Sequence, residues 1–195
     1  GVVGLGAGSL AAYMGPEDDL TFYEIDPEVE RIARDPACFS FLSACAPETK
    51  VVLGDGRLSL AEEPAGRFDV LVLDAYSSDS LPVHLLTREA VTLYLEKLAP
   101  GGVLAFHISN RYFDLSPVFA AHASEQGLSG LVRLDGAATE EAEGGKTSSE
   151  WLLLARDAED LSMVASDPSW QPLDLATQTR VWTDDFSSPL LVLKR

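Results

Sequence analysis

Short apolar runs rich in Val, Leu, Ile and Phe recur along this chain at intervals of roughly 20–30 residues, with helical patterns between them. No other feature restricts the fold as much. Parallel strands need a long crossover, usually a helix, so the rhythm reads as a βαβ series building a doubly wound α/β sheet. Strands are expected at 1–5, 20–25, 50–53, 68–73, 103–108, 129–134 and 150–155. Asp26-Pro27 opens one helix and Asp35-Pro36 closes it. A second carries Val91, Tyr94, Leu95 and Leu98 on one face and stops at Pro100-Gly101-Gly102; a third runs from Ser116-Pro117 to Gly127. Thr139–Ser149 reads as an exposed loop and the tail from Asp167 to Ser188 as coil. With 195 residues and no linker, one domain is expected over 1–195.

In such a sheet ligands bind beyond the carboxyl ends of the strands, so the residues delivered there decide the reading. The first run ends in GLGAGSL, where Gly4, Gly6 and Gly8 allow a tight turn and close approach to a ligand. A helix opening behind them would aim its N–H groups the same way. The second ends in YEID. Glu24, about twenty residues after the glycines, is placed to accept from both hydroxyls of a ribose, while Asp26 reads as the cap of the helix that follows. The third ends in LGDGR. There Asp55, with Gly56 behind it, is either a turn residue or a carboxylate accepting from an adenine amino group. A dinucleotide site has little use for that third acid, which moves the reading from a nicotinamide to an S-adenosyl ligand.

The fourth run, FDVLVL, reads as apolar on both faces and runs straight into Asp74, with Asp79 and His84 further along the loop. The fifth leads into HISNRY, bringing His107, Asn110, Arg111 and Tyr112 to the same edge. His107, inside an apolar run, reads first as a satisfied core histidine. Each residue alone has an ordinary explanation; a glycine turn and three acids converging on one edge do not.

Charge narrows the partners. There are 14 Lys+Arg against 31 Asp+Glu, a formal charge of −17. Such a field repels phosphate backbones and anionic lipid, which argues against nucleic acid and membrane-surface partners, and it attracts cationic small molecules. The two cysteines, Cys38 and Cys45, form no metal-binding or disulfide pattern, so a reducing, cytoplasmic compartment and no metal are expected. No apolar stretch is long enough to span a bilayer.

With these residues in hand, the chain resembles the class I S-adenosylmethionine-binding fold and, within it, the spermidine synthase branch. The likeness is strongest to bacterial spermidine synthase domains fused behind a multi-pass membrane region. VVGLGAGSLAAY, FYEIDPEVERIARD, VVLGDGRLSLA, LVLDAYSSDSLPVHLLTREA, APGGVLAFHISNRYFDL and VWTDDFSSPLLVL carry it.

The resemblance implies a Rossmann-like, seven-stranded, mostly parallel sheet with an antiparallel last strand. Gly4, Gly6 and Gly8 would face the nucleoside and the methionine-derived chain, Glu24 the ribose and Asp55 the adenine. The co-substrate would be decarboxylated S-adenosylmethionine or S-adenosylmethionine. Asp74 would activate the attacking amine. Asp79 matches a second acid of that loop, displaced by the insertion of Ala75 and Tyr76, and Asp184 and Asp185 are candidates for the distal ammonium. The chain lacks the N-terminal β-hairpin region of full spermidine synthases and reads as part of a longer protein, in which a membrane segment is expected to lie outside this stretch. The family's loop tyrosine is absent from its usual place, with Tyr76 or Tyr112 as substitutes. A homo-oligomer is compatible with all of this.

The expected activity is transfer of an aminopropyl group to a polyamine such as putrescine. The rivals are methyl transfer at the same site and a non-catalytic domain that senses a nucleoside or polyamine.

Overall fold

The computed structural model describes residues 1–75, 82–136 and 148–194. Its strands are β1 (Val2–Val3), β2 (Thr21–Glu24), β3 (Lys50–Leu53), β4 (Phe68–Leu73), β5 (Leu98–His107), β6 (Ser129–Asp135), β7 (Ser149–Ala155) and β8 (Gln171–Pro172). They form one sheet in the order β3-β2-β1-β4-β5-β7-β6-β8. The first five pair in parallel, β7 inserts antiparallel between β5 and β6, and β8 pairs antiparallel with β6. This is the Rossmann-like, mostly parallel sheet that the sequence predicts, with one strand more. The extra strand comes from the tail expected as coil. Gly130 makes room for it: a Cβ there would stand 2.8 Å from Leu173 Cδ2, and Leu173 N donates to Gly130 O at 2.9 Å.

The helices are α1 (Pro27–Arg34), α2 (Phe41–Cys45), α3 (Gly56–Ala61), α4 (Arg88–Lys97), α5 (Ser116–Gln126) and α6 (Ser162–Ala165). Asp26 caps α1 by accepting from Glu28 N, Pro27 takes the first turn, and Arg31 and Arg34 sit where the helix dipole favours cations. Gly127 ends α5 in a left-handed conformation. The chain after β1 forms only a 3-10 turn, Ser9–Tyr13, where a helix was expected.

Two apolar layers cover the sheet. Leu71, Tyr94, Leu104, Phe106, Phe119 and Leu154 anchor the larger, and the tail adds the fully buried Trp182 to it. Val2, Leu5, Phe22, Ala33 and Leu42 form the layer on the β1–β2 side. Strand β4 departs from its expected two-sided burial, for Val70 is 50% exposed. None of the described helices is long and apolar enough to cross a membrane.

Candidate active site

The strand order reverses between β1 and β4, the switch point where doubly wound sheets leave a crevice. A cleft of about 430 Å³ opens there. Its lining comes from the ends of four strands: Gly4 and Gly6 after β1, Glu24, Ile25 and Asp26 after β2, Asp55 and Gly56 after β3, Asp74 and Ala75 after β4. Pro82, His84 and Leu85 close one side.

Gly4 has φ +98°, and a Cβ on it would fall 2.2 Å from Asp74 O. The glycine turn is therefore pressed against the backbone that carries Asp74, and Asp74 N is itself held by Val3 O at 2.9 Å. Gly6 differs: at φ +52° its missing Cβ would meet nothing within 4 Å, because it faces the open cleft. Gly8 is outside the lining; a Cβ there would stand 2.8 Å from Leu42, so packing explains its type. Gly56 lines the cleft but also leaves room for Val3.

Glu24 is buried, and both its oxygens are engaged. Oε2 accepts from Leu5 N and Oε1 from Asp26 N, each at 2.9 Å. The carboxylate thus ties the glycine turn to the end of β2 while keeping lone pairs for further donors. Asp26 is the helix cap expected of it, and Asp55, read as a turn residue or an adenine acceptor, is a helix cap as well. Each caps a helix, accepting from Glu28 N at 2.8 Å and Leu58 N at 2.9 Å respectively, and each lines the cleft. Asp55 Oδ2 also lies 3.3 Å from His84 Nε2. Ile25, which the sequence reading passed over between two acids, presents a 70% exposed apolar side chain to the same space.

Asp74 stands at the mouth of β4 with His107 beside it, Nδ1 to Oδ1 at 2.7 Å. His107 is not a core histidine: its side chain keeps 26% of its surface exposed, and its ring stacks on Trp151 at 4.8 Å and 20°.

Asp184 and Asp185 lie apart from the cleft lining. Asp184 forms a forked ion pair with Arg57, both bonds at 2.7 Å, and accepts from Thr87 Oγ1 at 2.7 Å. The Arg57 hydrogen bonds hold its carboxyl down at about 2 from an ordinary 3.8. Its oxygens are engaged in pinning the tail to α3 and to the cap of α4, which explains the residue without a ligand. Asp185 is exposed in the turn closed by Thr183 and Phe186. Tyr112 lies outside the lining too, its ring 5.6 Å from the Arg111 guanidinium. Tyr76 and Asp79 fall outside the described residues, as does most of the loop expected at Thr139–Ser149.

No family model matches the chain. Over 108 residues it is 32% identical to a polyamine aminopropyltransferase of Vibrio vulnificus, a stretch covering 53% of this chain and 35% of that protein. Over 111 residues it is 28% identical to a probable polyamine aminopropyl transferase of Bifidobacterium longum, covering 55% of this chain and 23% of that one. The matched region thus spans about a third or less of these relatives. Among solved structures, a probable spermidine synthase from Corynebacterium glutamicum superposes with a TM-score of 0.64 at 20% identity, covering 96% of this chain and 73% of that one. Spermidine synthase from Thermotoga maritima gives 0.59 at 16%, covering 97% and 65%. A predicted O-methyltransferase from Agrobacterium tumefaciens gives 0.53 at 18%, covering 79% and 72%. Aminopropyl- and methyl-transferring proteins alike share this architecture, and the chain has the Rossmann-like α/β methyltransferase fold.

Proposed function

We propose that the domain transfers an aminopropyl group from decarboxylated S-adenosylmethionine to a cationic amine such as putrescine. The observation that carries this reading is the charge of the cleft. Glu24, Asp26, Asp55 and Asp74 line it, and no Lys or Arg is among the described lining residues. S-adenosylmethionine brings a carboxylate that wants a cationic or amide partner; like charges about 4 Å apart near a protein surface repel by roughly 4 kcal/mol. The decarboxylated form keeps the sulfonium and the ammonium but loses that carboxylate, so it suits an acidic cleft. Gly6 leaves open space for such a ligand, Glu24 retains lone pairs for ribose hydroxyls, and Ile25 offers an apolar face to a base. The sequence likeness to two aminopropyltransferases points the same way.

In this reading the amine arrives protonated and cannot attack. Asp74 binds the ammonium and takes a proton from it, which frees the nitrogen lone pair. A C–N bond then forms at the carbon beside sulfur as the C–S bond breaks. The electron pair goes to sulfur, and a neutral thioether, methylthioadenosine, leaves without an acid. General-base help of this kind is worth about 10²–10⁴-fold, and alignment adds to it.

The reading extends to a cytoplasmic setting, supported by the exposed free thiols of Cys38 and Cys45. Through the likeness of its motifs to membrane-fused proteins, it also extends to a place beside a membrane segment in a longer chain. Calorimetric titration tests the central part. Decarboxylated S-adenosylmethionine is expected to bind at least about tenfold tighter than S-adenosylmethionine, about 1.4 kcal/mol. Equal or reversed affinity would favour methyl transfer, which the same fold supports.

A further inference from the structure

The pairing of β4 with β5 sets Leu73 beside Phe106, so Asp74 and His107 leave their strands next to each other on one face of the sheet. The pairing of β5 with β7 sets His107 opposite Trp151. Asp74, His107 and Trp151 thus form a row across three neighbouring strands. The row is closed by contact at each step, 2.7 Å from Nδ1 to Oδ1 and 4.8 Å between the ring centroids. Only Asp74 of the three lines the cleft.

An ionised carboxylate is acceptor-only, so a 2.7 Å contact with a ring nitrogen requires the proton on Nδ1. We infer that His107 is a positioning residue for Asp74. It donates Nδ1–H to Oδ1, fixes the carboxylate plane, and leaves Oδ2 as the oxygen that meets the attacking amine. Trp151 holds the imidazole plane in turn. A carboxylate at a strand end and 38% exposed would otherwise rotate about χ2, and a base that rotates spends little time aligned with the proton it must take. Transition-state geometry depends on such second contacts as much as on the reacting group.

The inference rests on the aminopropyl-transfer reading, and the experiment separates the two. Methylthioadenosine formation from decarboxylated S-adenosylmethionine and putrescine is measured for the wild type, His107→Ala, His107→Asn and His107→Gln, each checked for folding by thermal melting. Long-range ¹H–¹⁵N NMR reads the ring nitrogens of wild-type His107, with His107→Asn identifying its signals. His107→Ala is expected to lower kcat by about 10²-fold while KM for the nucleoside changes less than about threefold. His107→Asn places an N–H where Nδ1 was and is expected to recover kcat to within about tenfold of wild type. His107→Gln, with its amide one carbon further out, is expected to stay as low as the alanine variant. Nδ1 is expected to carry a proton.

Alanine and wild type sharing one kcat would overturn the inference, as would asparagine failing alongside alanine. The NMR judges the pair even if the wild type makes no methylthioadenosine. A bare Nδ1 then refutes the pair, whereas a protonated Nδ1 with no turnover refutes the aminopropyl reading and leaves the pairing standing.

Discussion

Gly4 and Gly6 stand two residues apart, both with positive φ, and alanine at each should fail in different ways. At Gly6 the Cβ would enter open space at φ +52°, inside the left-handed region that other residues reach at a cost of about 1–2 kcal/mol. At Gly4 the same kind of penalty applies at φ +98°, and the Cβ would also land 2.2 Å from Asp74 O and 3.1 Å from Ala75 Cα. Both obstacles are backbone, so no rotamer relieves the clash. Overpacking of this kind adds about 1–3 kcal/mol, bringing Gly4→Ala to roughly 3 kcal/mol or more. For a domain of this size each kcal/mol moves Tm by about 2–4 °C. Thermal unfolding should therefore show a drop of about 2–8 °C for Gly6→Ala and at least about 6 °C for Gly4→Ala, with Gly4→Ala the larger of the two. Nucleoside titration should show the opposite ranking among folded protein: Gly6→Ala loses affinity for methylthioadenosine because its methyl group occupies ligand space. Equal destabilisation of the two variants, or wild-type nucleoside affinity in Gly6→Ala, would refute the reasoning.

Two further expectations concern pH. Asp184 has a folded pKa of about 2 against an ordinary 3.8, so its contribution is complete above about 4 and is lost as pH falls toward 2. Acid unfolding of Asp184→Asn should be shallower than that of wild type in this window, by a modest amount because the side chain is 45% exposed; superimposable curves would count against the strut. His122 is buried on α5, with Nε2 at 2.9 Å from Leu86 O, and burial lowers its pKa from 6.5 against the opposing pull of Glu125 and Glu89. Its contribution is present above pH 6.5 and declines below it as the unfolded chain takes up a proton that the folded one resists. His122→Gln, which keeps a donor for Leu86 O, should lose that part of the pH dependence in urea titrations at pH 5 to 8, and an unchanged slope would contradict it.

What the sequence disclosed was local. Capping by Asp26-Pro27, the stop of α5 at Gly127 and the apolar run of β4 are decided by neighbours a few residues away, and they appear where the pattern puts them. Even the departures have local grounds. The second helix stops before the expected Pro100-Gly101-Gly102: α4 ends at Lys97, Leu98 opens β5 instead of lying on the helix face, and Pro100-Gly101-Gly102 sits inside that strand, where a register shift against Phe68 and Val70 absorbs the proline. Pairings across the fold were not legible. Arg57 and Asp184 are 127 residues apart, so neither residue type nor spacing joins them. Asp74 and His107 meet only because of strand register, which a single sequence does not encode visibly. Gly8 was read by its motif, yet it is Leu42, on α2, that explains it. The edge that collects the cleft-lining residues was readable because βαβ topology sends every parallel strand end there.

The most direct measurement is product identity. The protein is incubated with decarboxylated S-adenosylmethionine and putrescine, and separately with S-adenosylmethionine and putrescine, with Asp74→Asn as the control in both. Mass spectrometry then reports the nucleosides and amines. The account predicts methylthioadenosine and spermidine in the first mixture alone, falling by about 10²-fold or more in the variant. S-adenosylhomocysteine in the second mixture, or wild-type turnover by Asp74→Asn, would contradict it.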